Sequence, residues 1–113
     1  MESKRQHKIS KLLQKDLGEI FQLDSKRLYK GAMITVTKIN VTPDLSIAKV
    51  YVSIFASPDT EEVLKLIKVN SKDVRHQLAR RVKHQLRVIP ELQFYLDDSL
   101  DYIDNIESLL KNG

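Results

Sequence analysis

The run from Ala48 to Ala56 restricts the fold of this chain more than any other. Ala48, Val50, Val52, Ile54 and Ala56 alternate with Lys49, Tyr51, Ser53 and Phe55, and Ile47 precedes them in the mixed set. Successive side chains of a strand point to opposite faces, so one face here is uniformly apolar and the other is mixed. Such a strand belongs to a sheet that is covered on one side and open on the other. The preceding stretch is also rich in β-branched residues, and Thr42-Pro43-Asp44-Leu45 separates the two, with Pro43 suited to the second position of a turn. Residues 32–56 therefore read as a hairpin. Ile34 and Val36 are out of phase with Ile39 and Val41, which a bulge near Thr37–Lys38 would correct.

Helices must supply the cover. Residues 3–23 carry Ile9, Leu12, Leu13, Leu17, Ile20 and Phe21 at three- and four-residue spacing, behind a capping box at Ser3-x-x-Gln6. LDSKRLYKGA reads as a loop containing Gly31. In SPDTEEVLKLIKV, Pro58 takes a first-turn position and Asp59-x-x-Glu62 starts a helix that runs to about Val69. Asn70-Ser71-Lys72-Asp73 breaks and re-caps the chain, and a further helix runs to about Leu86. Pro90 stops it. Leu92, Phe94 and Leu96 then alternate as a third strand, and Asp98-Ser99 caps a last helix with Leu100, Ile103, Ile106, Leu109 and Leu110 on its apolar side. The expected order is α-β-β-α-α-β-α, an α+β fold in a single domain spanning 1–113.

A chain of 113 residues, 42% apolar and 30% charged, is globular in composition and can build a core without staples. With no cysteine, disulfides and thiolate metal sites are excluded, and a reducing compartment fits. Its apolar runs fall far short of the ~20 residues of a membrane span. The charged start MESKRQHKISK lacks the apolar block of a signal peptide. A cytoplasmic protein is expected, with no membrane partner.

The net charge of +4 is unevenly spread. Lys72 to Pro90 holds six Lys and Arg against one Asp, whereas Glu91 to Glu107 holds six acids and no Lys or Arg. Residues 1–15 add five bases against one acid. At ~100° per residue, Val74, Leu78, Ala79, Val82 and Leu86 share one side of their helix. His76, Arg80, Lys83 and Arg87 cluster within ~60° on the opposite side, with Arg81 and His84 further round the same polar half. Like charges so spaced cost a few tenths of a kcal/mol per pair, so helix stability does not explain the stripe. Lys4, Lys8, Lys11 and Lys15 form a matching stripe within ~60° on the first helix. One such stripe is ordinary solvation. Two of them, with the acids segregated elsewhere, point to a polyanion. Arg75 falls inside the apolar arc, where it either anchors on a specific acceptor or reaches a ligand.

Catalytic constellations are missing. Gly18, Gly31 and Gly113 are the only glycines, which leaves no P-loop or dinucleotide fingerprint. His7, His76 and His84 lack metal-ligand spacing, and Asp97-Asp98-Ser99-x-Asp101 reads as acids at a helix start rather than a cation site. Neither an enzyme nor a cofactor is expected. Tyr51, Phe55 and Tyr95 fall on the outer side of their strands, where they could stack bases or simply pair across strands.

ITVTKINVTPDLSIAKVYVSIF (34–55), VRHQL (74–78) and RVIPELQFYLDDSLDYIDNIESLL (87–110) resemble ribosome-binding factor A. The resemblance spans nearly the whole chain. It implies a type II KH-like fold in which a helix-kink-helix without GxxG replaces the usual nucleic-acid loop. It also implies a non-catalytic bacterial assembly factor that binds the immature small ribosomal subunit. Such a factor assists maturation of the subunit's rRNA, including the 5′ region, and is linked to growth in the cold. Family members usually carry Ala-x-Gly at the kink. Asn70-Ser71-Lys72 stands there instead, where Asn tolerates left-handed angles and Ser can cap the next helix. On this reading Lys72, Arg75, Arg80, Arg81, Lys83, His84 and Arg87, supported by Lys8, Lys11 and Lys15, contact RNA phosphates, and the protein acts as a monomer. The competing reading is a protein–protein adaptor that uses the open sheet face and the acidic last helix.

Overall fold

The computed structural model describes residues 3–97. The expected last helix, from Asp98 onward, lies outside the described residues. The elements follow in the order α1 (Lys4–Leu28), β1 (Met33–Val41), β2 (Ile47–Phe55), α2 (Thr60–Val69), α3 (Ser71–Val82) and β3 (Glu91–Leu96). The sheet is three-stranded in the order β1-β2-β3, antiparallel between β1 and β2 and parallel between β2 and β3. All three helices lie on one face. Val63, Ile67, Val74, Leu78 and Val82 join Leu13, Leu17, Ile20 and Phe21 of α1 in one core with Ile34, Val36, Ala48, Val50, Val52 and Phe94 of the sheet.

The hairpin follows the alternation. Ala48, Val50, Val52 and Ile54 are buried, and Ser53 on the other phase is buried as well. The register slips between Val36 and Lys38, so that Ile34 and Val36 share the inner face with Ile39 and Val41. The amide of Leu45 donates to Thr42 O at 2.8 Å, which puts Pro43 in the second position of the turn, and Leu45 follows with φ +62°. Asp44 organises the turn. Its Oδ1 accepts from the hydroxyls of Ser46 and Thr42, both at 2.7 Å, and from the Ser46 amide at 3.1 Å. These bonds, the Ser46 hydroxyl first, hold its carboxyl below the usual carboxylate range.

Helix α1 begins with the reciprocal Ser3–Gln6 capping box but runs beyond residue 23. It continues to Leu28, and the connection to β1 shrinks to Tyr29–Ala32. Asp24 explains the difference. It occupies a core-facing position at 8% exposure, where a search for apolar periodicity finds a break. Burial is tolerated because Gln77 Nε2 donates to its Oδ2 at 2.9 Å and Arg27 pairs with its Oδ1 at 3.2 Å. The chain then turns through Lys30 and Gly31, both at positive φ, and the Gly31 amide donates back to Ser25 O.

Along the free edge of β1, α1 satisfies backbone carbonyls. Gln6 donates to Val41 O, Gln14 to Val36 O and Ser25 to Ala32 O. Between these contacts a groove of about 1000 Å³ separates α1 from residues 32–36, so this end of the β1 edge stays open.

Pro58 precedes the cap of α2 rather than entering its first turn; Asp59 is the cap and accepts from the Glu62 amide. The α2–α3 junction also differs from expectation. Asn70 sits at φ −92°, ψ 11°, its side chain donates to Leu66 O, and Ser71 is the first residue of α3 rather than its cap. That backbone conformation is open to any L-residue, so the junction turns without a glycine. Finally, α3 ends at Val82 and not at Leu86. One further helical hydrogen bond, Leu86 N to Val82 O, carries the turn past Lys83. Arg75 then fixes the approach to β3, donating to Ile89 O at 2.7 Å and Pro90 O at 3.4 Å.

Candidate nucleic-acid interface

Helices α1 and α3 lie side by side with opposed directions. Arg81, near the end of α3, meets Asp16 and Glu19 in the middle of α1, while Gln77, a turn earlier, meets Asp24 further along. Gln77 Nε2 also donates to Asp73 at 2.9 Å, which joins both helices in one polar seam. Arg81 is 30% exposed and Asp16 14%. The hydrogen bond to Glu19, with Asp16 adding to it, raises the Arg81 pKa further above its already high value.

Because both helices turn their buried sides to the same sheet face, the opposite sides form one solvent-facing surface. Lys8, Lys11 and Lys15 of α1 are exposed there, as are Lys72, His76 and Arg80 of α3 and Lys83 and His84 just beyond it. The antiparallel packing carries the end of α3, with Lys83 and His84, toward the lysine-rich first half of α1. Helix geometry thus brings together two basic stripes that are about sixty residues apart in sequence.

Other expected site residues are placed differently. Arg87 is exposed but lies in the bend after α3, so the helical stripe does not carry it. The Arg75 guanidinium holds the Ile89 and Pro90 carbonyls and acts as an anchor. Arg81 is engaged by two carboxylates inside the seam. Sequence periodicity had placed Arg81 in the polar half of its helix. Nothing in periodicity showed that Asp16 and Glu19 would face it.

A groove of about 270 Å³ runs between the α2–α3 junction and β3, lined by Lys68, Ser71, Leu92, Gln93, Phe94 and Tyr95. Lys68 was not singled out in the sequence. Its signal was its position two residues before the break at Asn70. Among the described residues no cluster of His, Cys, Asp and Glu could hold a metal ion, and no helix is long and apolar enough to cross a membrane.

The topology and the glycine-free helix junction define a KH-like α+β fold with a basic helical surface. Residues 5–110 match the family model for ribosome-binding factor A, and the chain belongs to that family. The ribosome-binding factor A of Christiangramia forsetii is 52% identical over 111 residues, covering 97% of this chain and 85% of that protein. The crystal structure of ribosome-binding factor A from Thermus thermophilus superposes with a TM-score of 0.67 at 25% identity, covering 80% of this chain and 94% of that one. A Thermus thermophilus ribosome-binding factor A homology model, fitted into an electron cryomicroscopy map of its complex with the 30S subunit, superposes with a TM-score of 0.61 at 27% identity. That match covers 77% of this chain and 89% of the other.

Proposed function

We propose that this protein binds the small ribosomal subunit in its immature form and assists maturation of the rRNA, including its 5′ region. On this reading it works in the cytoplasm as a single-domain monomer, without catalysing a reaction. The observation that carries the reading is the shared solvent-facing side of α1 and α3, where Lys8, Lys11, Lys15, Lys72, Arg80, Lys83 and His84 are exposed together. Cations on a rigid layer neutralise phosphates and set register without reading sequence. Lys68 and Lys72 at the helix junction extend the same charge toward the groove beside β3. The 30S complex of the Thermus thermophilus relative supports the choice of partner. The test is co-sedimentation of Arg80→Glu/Lys83→Glu with immature small subunits. Binding should be lost while the thermal midpoint stays close to that of the parent protein. Normal co-sedimentation by the double variant refutes this assignment of the surface.

A further inference from the structure

The groove between α1 and the first half of β1 exposes backbone groups that the sheet does not use. The Asp97 amide donates to Val52 O at 2.7 Å, so Val52 turns its carbonyl toward β3 and away from β1. Val36, its partner across the hairpin, therefore sits in a non-hydrogen-bonded pair. Its N–H and C=O point out from the sheet edge, and by alternation those of Ile34 do the same. Gln14 donates to Val36 O and Ser25 to Ala32 O. Between them the Ile34 N–H, the Ile34 C=O and the Val36 N–H have no partner among the described residues.

Two further features mark the groove. Gly18 lines it between Gln14 and Ser25, and so stands beside Ile34. It lies inside α1 without a positive φ, and a Cβ there would meet nothing within 4 Å. Glycine inside a helix is destabilising relative to alanine, and no neighbour in this fold needs the space. The second feature is charge. Because α1 passes β1 in the opposite sense, Lys11 and Lys15 line the groove toward Val36, and Lys26 lines it toward Ala32. None of the three pairs with a carboxylate among the described residues. Glu19, the one acid of the lining, is already held by Arg81. Leu23 and Met33, 72% and 62% exposed, add apolar surface.

We propose that this groove takes an extended acidic peptide from a partner protein, which joins β1 as an antiparallel fourth strand. The peptide residue opposite Ile34 donates to its C=O and accepts from its N–H, and the residue two before it accepts from the Val36 N–H. The side chain opposite Ile34 shares its inner face and enters the space beside Gly18, which suits an apolar group. Side chains two positions to either side share that face and meet Lys15 and Lys26, which suits acids. A five-residue strand spans ~14 Å, and Lys15 to Lys26 rise ~16 Å along α1, a match within reach of the side chains. A nucleic-acid strand carries no backbone amides in register with the Ile34 C=O. A second copy of the edge would set Lys11, Lys15 and Lys26 against the same three lysines, which is costly across an interface. Neither Arg80 nor Lys83 lines the groove, so peptide capture and subunit binding fail independently.

The test titrates the full chain, isotope-labelled at its amides, with the capped peptide Glu-Thr-Val-Thr-Glu. The Ile34 and Val36 amide signals are expected to shift and to exchange more slowly with solvent, while Lys-Thr-Val-Thr-Lys leaves them in place. Gly18→Leu should abolish the shift, with unchanged Val52 and Phe94 signals showing that the fold is intact. Lys15→Glu/Lys26→Glu should exchange the preference, so that the basic peptide binds and the acidic one does not. No shift of the two amides with the acidic peptide at millimolar concentration overturns the proposal. So does an equal shift with the basic peptide or with an oligouridylate, the latter assigning the groove to RNA. Protection of Ile34 that rises with protein concentration alone assigns the edge to a second copy and overturns it as well.

Discussion

Tyr29 is fully buried, its ring set edge-on to Phe21 at 5.7 Å, and its hydroxyl has no hydrogen-bond partner among the described residues. Burial first, then the charges of Asp24 and Asp73, pushes its pKa up to about 12. An unfolded tyrosine titrates near ~10. Between these values the unfolded chain has lost a proton that the folded chain still holds. Stability from this group is therefore complete below the unfolded pKa and is lost as pH rises toward 12. Tyr29→Phe should remove that alkaline loss. At neutral pH it should change stability by less than ~1 kcal/mol, because it deletes an unpaired hydroxyl rather than a bond. Melts at neutral pH and at pH ~11 check both parts. Arg75 gives the opposite expectation. It donates to two carbonyls at the entry to β3, so Arg75→Ala should cost ~1–2 kcal/mol. Arg75→Lys should recover little, since an ammonium lacks the planar fork that reaches both acceptors. Urea midpoints for the two variants, beside unchanged affinity for the subunit, would mark Arg75 as an anchor.

Among the elements, the helix junction is the place where residue type and geometry disagree with a simple expectation. If Asn70 were present for its tolerance of left-handed angles, Asn70→Gly would be neutral or stabilising. Its φ is −92° and its side chain holds Leu66 O, so the same change should destabilise by ~0.5–1 kcal/mol, read from the urea midpoint. The elements that sequence alone located well are those with an unbroken period. The β2 alternation, the bulge at Thr37 and the third strand follow from apolar residues repeating at two, and the turn follows from Pro43 at its second position. The misplaced boundaries share one cause, a tertiary partner that periodicity does not display. Asp24 interrupts the α1 pattern because Gln77 and Arg27 satisfy it, and α1 consequently runs to Leu28. Leu86 continues the α3 pattern, yet the helix stops at Val82, where the chain turns toward Arg75 and β3. The candidate surface divides in the same way. Outward stripes on single helices were legible, whereas the pairing of Arg81 with Asp16 and Glu19 required knowing that α1 and α3 are neighbours.

At the scale of the molecule, packing α1 against α3 turns two ordinary solvated stripes into one charged layer, and this has a measurable consequence. Affinity for a polyanion falls with salt because bound cations release counterions, and the slope of log K against log salt counts the phosphates neutralised. Arg80 and Lys83 are exposed and pair with no carboxylate among the described residues, whereas Arg81 already faces two carboxylates. Arg80→Ala and Lys83→Ala should therefore each flatten the salt slope of subunit binding by ~1. Arg81→Ala should leave the slope nearly unchanged. It should instead lower stability by up to ~1 kcal/mol, the range for a partly exposed ion pair that also ties two helices together. Three cations within four residues, Arg80, Arg81 and Lys83, thus separate into two behaviours, distinguished by a salt series and a denaturation curve on the same proteins. An Arg81 variant that flattens the slope as much as the Arg80 variant would mean that the seam opens when the subunit binds. The α1–α3 layer would then be a hinge, and the fixed platform described here would have to be abandoned.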